Sequence, residues 1–228
     1  MDWLKPLNEY CERLSPEFWA EPINAISNLS FIVAAVLAFQ LKRRLKNTYW
    51  GFYWLAFVLL LVGIGSFLYH THANLWSLFA DLLPIYSFQI SVIALYGCAI
   101  ARNTNKPQLL GAASLLIAFI SLTALFSFFP KALFNGSISY FSALLSLFFI
   151  GIYQAGHFSE EKYTLLAAAL LFLVSLVFRS IDINACSIFS VGTHFLWHLL
   201  NGAVLYLIIK AYTGVLLHEE KLGKQGKC

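Results

Sequence analysis

Seven stretches of the chain hold no Asp, Glu, Lys or Arg: residues 22–41, 47–80, 82–101, 107–130, 132–159, 163–178 and 183–209. A helix needs about 20 apolar residues to cross about 30 Å of hydrocarbon. Six of the seven stretches reach that length. The 16 residues of 163–178 are extended by Tyr163 and Arg179, whose side chains can snorkel to the interface. Within 47–80, the polar group Thr71, His72, Asn74 and Ser77 reads as a turn between two spans. Barrel strands would instead need segments of about ten residues with alternating polarity, and none is present. Only 11% of the 228 residues are charged, against about 25% in a soluble domain. A soluble enzyme, a secreted disulfide scaffold and a disordered chain are excluded. The pattern predicts an all-α integral membrane protein, a seven-transmembrane-helix bundle. It forms a single domain over residues 1–217, and residues 218–228 form a short polar tail.

Lys and Arg set the orientation, because cytoplasmic loops carry their excess. With the N-terminus extracytoplasmic and the C-terminus cytoplasmic, the inner segments hold eleven basic residues: Lys42, Arg43, Arg44, Lys46, Arg102, Lys106, Lys162, Lys210, Lys221, Lys224 and Lys227. The outer segments hold four: Lys5, Arg13, Lys131 and Arg179. That topology accounts for the net charge of +4, which therefore gives no reason to expect nucleic acid. The first 20 residues are rich in charge, unlike a cleavable signal peptide.

Ionisable residues inside a bilayer are costly and by default functional. Asp81 is the one formally charged residue between Lys46 and Arg102, and it falls one to two turns inside span three. Pro84 follows three residues later and frees a backbone carbonyl. His70 lies at the outer end of span two. His194 and His198 lie in the first turns of span seven, spaced i, i+4 on one helix face. Ser66 has the same spacing from His70. Five polar residues from three helices thus share one depth and one side of the membrane. Three imidazoles with one open position make a common catalytic zinc arrangement, whose bound water loses its proton near neutrality. Asp81 is placed to take that proton, and Ser66 to contact the water or an oxyanion. The competing interpretations are interhelical hydrogen bonds for the histidines and a proton relay or an Arg partner for Asp81. His72 substitutes for His70 if span two ends early. His157 and His218 fall on the inner side, away from the group.

Several segments carry a resemblance: Tyr10-Cys11-Glu12-Arg13, Glu21-Pro22-Ile23-Asn24-Ala25-Ile26-Ser27-Asn28, Gly65-Ser66-Phe67-Leu68-Tyr69-His70-Thr71, Asp81-Leu82-Leu83-Pro84 and Gly192-Thr193-His194-Phe195-Leu196-Trp197-His198. Together they resemble the alkaline ceramidase family, within the CREST group of seven-span hydrolases that also contains the adiponectin-type receptors. The likeness runs from about residue 9 to residue 202. It implies a zinc-dependent amidase acting on ceramide-like sphingolipids in the membrane. The implied zinc ligands are His70, His194 and His198, which selects His70 over His72. Asp81 becomes the proton-transferring acid and Ser66 the supporting hydroxyl.

The resemblance also implies a calcium site with acidic ligands at Glu9, Glu12 and Glu21. The match there is partial. The segment between Glu12 and Glu21 is shorter than in the animal enzymes, and Arg13 and Leu14 stand where oxygen ligands are expected. Calcium takes six to eight oxygens. The competing interpretation pairs Glu12 with Arg13 or Lys5 and lets Glu21 cap the first helix. Asn24, Ser27 and Asn28 share a face of span one and read as interhelical hydrogen-bonding residues; starting at the same outer level, they are also placed to support the histidine group. Cys11 and Cys186 both fall outside, where disulfides persist, and the resemblance supports a bridge between them. Cys98 and Cys228 are expected to be free, and Arg179 is expected to pair with Asp182.

The expected activity is intramembrane hydrolysis of a lipid amide to a fatty acid and a sphingoid-type amine. The alternatives are a zinc-dependent lipid esterase or phospholipase-type hydrolase, whose zinc–water chemistry is the same, and a seven-span receptor with a structural zinc site. A transporter using Asp81 is disfavoured, because the two halves share no broken-helix symmetry. The short loops suit a bacterial plasma membrane.

Overall fold

The computed structural model describes residues 2–130 and 132–223. Among these, seven helical spans are long and apolar enough to cross a membrane, and there is no strand. The first span is built from α1 (Pro22–Ser27) and α2 (Leu29–Gln40), continued by a 3-10 turn over Leu41–Arg44. The others are α3 (Trp50–His72), α4 (Leu75–Asn103), α5 (Gln108–Ser127), α6 (Phe141–His157), α7 (Thr164–Ala185) and α8 (His194–Lys221). Each helix from α2 to α8 packs against the next in chain order, and α8 returns to α2, so the bundle closes into a ring. The chain is a seven-span membrane bundle.

Local chemistry sets the boundaries around the candidate residues. Ala73 takes a left-handed conformation (φ 40°) and ends α3. Asn74 then caps α4: its side chain accepts the Ser77 N–H at 3.2 Å, while the Ser77 hydroxyl accepts the Asn74 N–H at 3.0 Å. This reciprocal pair satisfies two donors that a helix start leaves without partners. Pro84 lies inside α4 and has no N–H for the carbonyl four residues back, that of Ala80. That carbonyl faces Gly65 of α3, where an added Cβ would lie 2.1 Å from the Ala80 oxygen. Gly65 and Pro84 together bring α3 and α4 into contact at the level of Ser66 and Asp81.

The N-terminal segment lies across this end of the bundle. Its Leu7 N–H donates to the Ala73 carbonyl at 2.7 Å, and the Tyr69 hydroxyl donates to Glu9 at 2.9 Å. At the opposite end, α8 continues past Leu217 to Lys221. There Glu219 is buried against Arg102, with its oxygens 2.9 and 3.0 Å from the guanidinium. Residues 218–221, drawn above as tail, are therefore helical. The remainder of that tail from 224, including Cys228, lies outside the described residues.

Candidate metal centre

Span packing brings α3 and α8 together beside α1, and three imidazoles meet there. The ligand atoms of His70, His194 and His198 all lie within 4.8 Å of one another, and all three residues are buried. Among the described residues this is the one group of three or more potential metal-ligating side chains that converges. His72, two residues from His70, packs instead between Phe18 and Trp76.

The partners of each ring fix which nitrogen remains available. His70 Nδ1 lies 2.6 Å from a Glu21 oxygen, so this nitrogen carries the proton and Nε2 keeps its lone pair. His198 Nδ1 lies 2.7 Å from the Ser27 hydroxyl, which spends its own hydrogen on the Asn24 carbonyl at 2.7 Å. Ser27 therefore accepts from His198, and Nε2 of that ring is again free. His194 is held differently. Its backbone N–H donates to Asp182 at 2.9 Å, its ring stacks on Tyr10 at 3.7 Å, and its buried Nδ1 has no hydrogen-bond partner. Ligating imidazoles characteristically give their second nitrogen to a carboxylate, carbonyl or similar acceptor. His70 and His198 both do so.

Asp81 is buried in the second turn of α4, near Ser66, and its Oδ1 has no partner. Buried polar atoms are nearly always satisfied, and each exception asks for an explanation. Four buried side-chain atoms among the described residues have no partner, and a metal ion with its water would account for two of them, Nδ1 of His194 and Oδ1 of Asp81; the other two are the amide oxygens of Asn24 and Asn28. Three imidazoles are a donor set that zinc takes at catalytic sites.

The acidic residues of the N-terminal segment do not gather into one cluster. Glu9 receives the Tyr69 hydroxyl. Glu12 accepts the N–H groups of Ile23 and Asn24, both at 2.8 Å, and so caps the exposed donors of α1. Glu21 bonds to Arg13, to the Asn24 amide at 3.1 Å and to His70. Burial pushes the Glu21 carboxyl up, but its bonds to His70 and Arg13 outweigh this and hold it below the usual carboxylate range.

Cys11 and Cys186 form a disulfide, with Cα atoms 5.6 Å apart, tying the N-terminal segment to the loop before α8. Two expectations are corrected. Asp182 does not pair with Arg179. Its carboxylate accepts three backbone N–H groups, from Cys11 (3.0 Å), Thr193 (2.7 Å) and His194 (2.9 Å). Arg179 donates to the Asn135 carbonyl and sits over the rings of Tyr140 and Trp197. The two residues share a helix turn, but unpaired backbone donors at the start of α8 attract the carboxylate first. Cys98 is not free either, since no described cysteine is a free thiol. Membrane side was the whole basis for expecting it to be.

Sequence reasoning missed Glu21, Arg13 and Asp182 as supports of the histidines. For Ser27 a signal existed, its depth on span one, but the depth alone did not point to His198.

Beyond the histidines an apolar cavity opens into the bundle, lined by Phe31, Phe88, Phe119, Leu147, Phe172 and Val204. Phe31 joins the two regions, since its ring centroid lies 6.2 Å from that of His198. No curated protein sequence matches the chain. The sequence pattern of the Ceramidase family matches residues 8–227, nearly the whole length, and the chain belongs to that family.

Proposed function

We propose that this protein is an intramembrane, zinc-dependent amidase that hydrolyses ceramide-like lipids to a fatty acid and a sphingoid-type amine. Family membership supports an amide-cleaving hydrolase of ceramide. The observation that carries the finer reading is the buried histidine trio, with donor atoms within 4.8 Å of one another, beside an Asp81 oxygen without a partner. His70, His194 and His198 would hold the ion. Zinc so bound supplies Lewis acidity and brings the pKa of a water towards neutrality.

The chain's own residues supply the rest. Glu21 and Ser27 fix the ring orientations of His70 and His198. Asp81 Oδ1 takes the proton of the attacking water as its oxygen bonds to the amide carbonyl carbon. The same oxygen returns that proton to the nitrogen as the C–N bond breaks, so the amine leaves neutral. Ser66 holds the Asp81 carboxylate or donates to the developing oxyanion. The apolar cavity receives the acyl chain, and burial of the centre strengthens each polar contact. The excess of Lys and Arg at the far end supports placing the histidine end on the extracytoplasmic side.

The test is the zinc content of purified protein by elemental mass spectrometry, wild type beside the His194→Ala/His198→Ala variant. The expected result is about one zinc per chain, following from three protein ligands, lost in the variant. It is read alongside hydrolysis of paired lipid amides and esters. Zinc unchanged by the double substitution would reject the ligand assignment, and ester cleavage without amide cleavage would reject the amidase.

A further inference from the structure

The most buried cation near the histidines is one the proposed chemistry does not use. Arg13 is 3% exposed, and its guanidinium meets four acceptors from three parts of the chain. Nε donates to Glu21. One terminal nitrogen donates to the carbonyls of Ser15 (3.2 Å) and Glu17 (3.3 Å), within the N-terminal segment. The other donates to the carbonyl of His70 at 2.9 Å.

That last contact reaches α3 at its final turn, where a helix leaves carbonyls without partners and concentrates partial negative charge. The Glu21 contact reaches the same residue by another route, since the other Glu21 oxygen holds His70 Nδ1 at 2.6 Å. One guanidinium therefore grips His70 twice, directly at its backbone and through a carboxylate at its ring. The oxygens that surround this position are the kind that would otherwise coordinate a divalent cation. Here they face a permanently charged fork.

We infer that Arg13 is a positioning residue for His70: a built-in cation that neutralises Glu21, fixes the metal ligand at both ring and backbone, and makes a free divalent cation in the N-terminal segment unnecessary. A lysine cannot reproduce this, because a single ammonium does not span four acceptors spread over the fork. The inference rests on the zinc reading above.

The test uses the full-length protein in detergent. Zinc affinity is measured by competition with a chromogenic chelator, the visible spectrum of the cobalt-substituted centre is recorded, and the melting temperature is followed in parallel. Arg13→Ala is expected to weaken zinc binding roughly 10- to 100-fold, as loss of a ligand's supporting contacts does. Added methylguanidinium is expected to restore most of it by refilling the space. Calcium chloride added to the wild type is expected to change neither zinc affinity nor melting temperature. If the folded Arg13→Ala protein only melts lower and keeps its zinc affinity, Arg13 is merely structural and the inference fails. It fails also if calcium raises the wild-type melting temperature. Should Arg13→Ala not be recovered folded, Arg13→Lys decides: an altered cobalt spectrum with weakened zinc binding supports the inference, and wild-type values overturn it. A wild type that binds no zinc overturns the histidine reading itself, a result visible before any substitution is made.

Discussion

Asp81 and His194 each carry a buried polar atom that no protein group satisfies, in a centre where the Nδ1 atoms of the other two imidazoles are held by Glu21 and Ser27. An atom left in that condition costs about 1–3 kcal/mol unless something outside the chain fills it. The two roles can be separated by one atom. Asp81→Asn keeps the size of the side chain and its place beside Ser66, but an amide cannot accept the proton of the attacking water. The expected outcome is unchanged zinc content with turnover lower by roughly 10²- to 10⁴-fold, the usual contribution of a positioned general base. Elemental analysis and fatty-acid release, measured on the same preparation, check it, and retained turnover would remove Asp81 from the chemistry. That His70, His194 and His198 converge was legible in the sequence for one physical reason. In a span that hydrocarbon keeps apolar, an ionisable group stands out, and helical spacing sets its depth. Arg13 and Glu21 lie in a polar segment where charge is ordinary, so nothing in their composition marks them.

At the scale of elements, the start of α8 depends on Asp182. This residue is fully buried near the end of α7, and three backbone donors converge on it from the N-terminal segment and the first turn of α8. Gly192 makes the approach possible. Its φ of +69° is left-handed, and an added Cβ would lie 2.2 Å from the Asp182 oxygen and 2.6 Å from the Cys11 Cβ. Disulfide, carboxylate and glycine thus form one knot that sets where His194 enters the bundle. Asp182→Ala would strand three N–H groups, and we expect a loss of about 3–5 kcal/mol at about 1–3 kcal/mol per stranded donor, part of it relieved by local rearrangement. Asp182→Asn, which keeps one acceptor oxygen for the α8 donors, should lose clearly less. Denaturant unfolding in detergent orders the two, and equal losses would mean that the α8 donors find other partners. The sequence placed Asp182 one turn from Arg179 and suggested an ion pair. Helical neighbours are read easily from spacing, whereas a carboxylate that serves a loop 11 residues away becomes visible only once the chain has turned.

For the whole molecule, hydropathy alone distinguished seven spans, because the bilayer imposes the same length and polarity on each. Spacing does not say how the spans close on one another, and that closure creates the cavity. α8 meets α2 across the ring, which places Phe31 against the histidines on one side and the apolar cavity on the other. If an acyl chain lies in that cavity, its length should matter in proportion to the apolar surface it buries. Val204 lines the cavity and is 2% exposed, two helical turns beyond Trp197 on α8 and clear of the proposed ligands. Val204→Phe would occupy part of the space. Each methylene displaced from apolar surroundings forfeits about 0.8 kcal/mol, roughly fourfold in kcat/KM. The variant should therefore discriminate against long-chain amides more steeply with each added carbon, while short-chain amides are cleaved at close to the wild-type rate and zinc content stays the same. A series of amides differing only in acyl length measures the slope directly. A uniform loss across the series would place the acyl chain elsewhere, with Val204→Phe acting through packing alone, and an unchanged series would leave the cavity with no part in substrate binding.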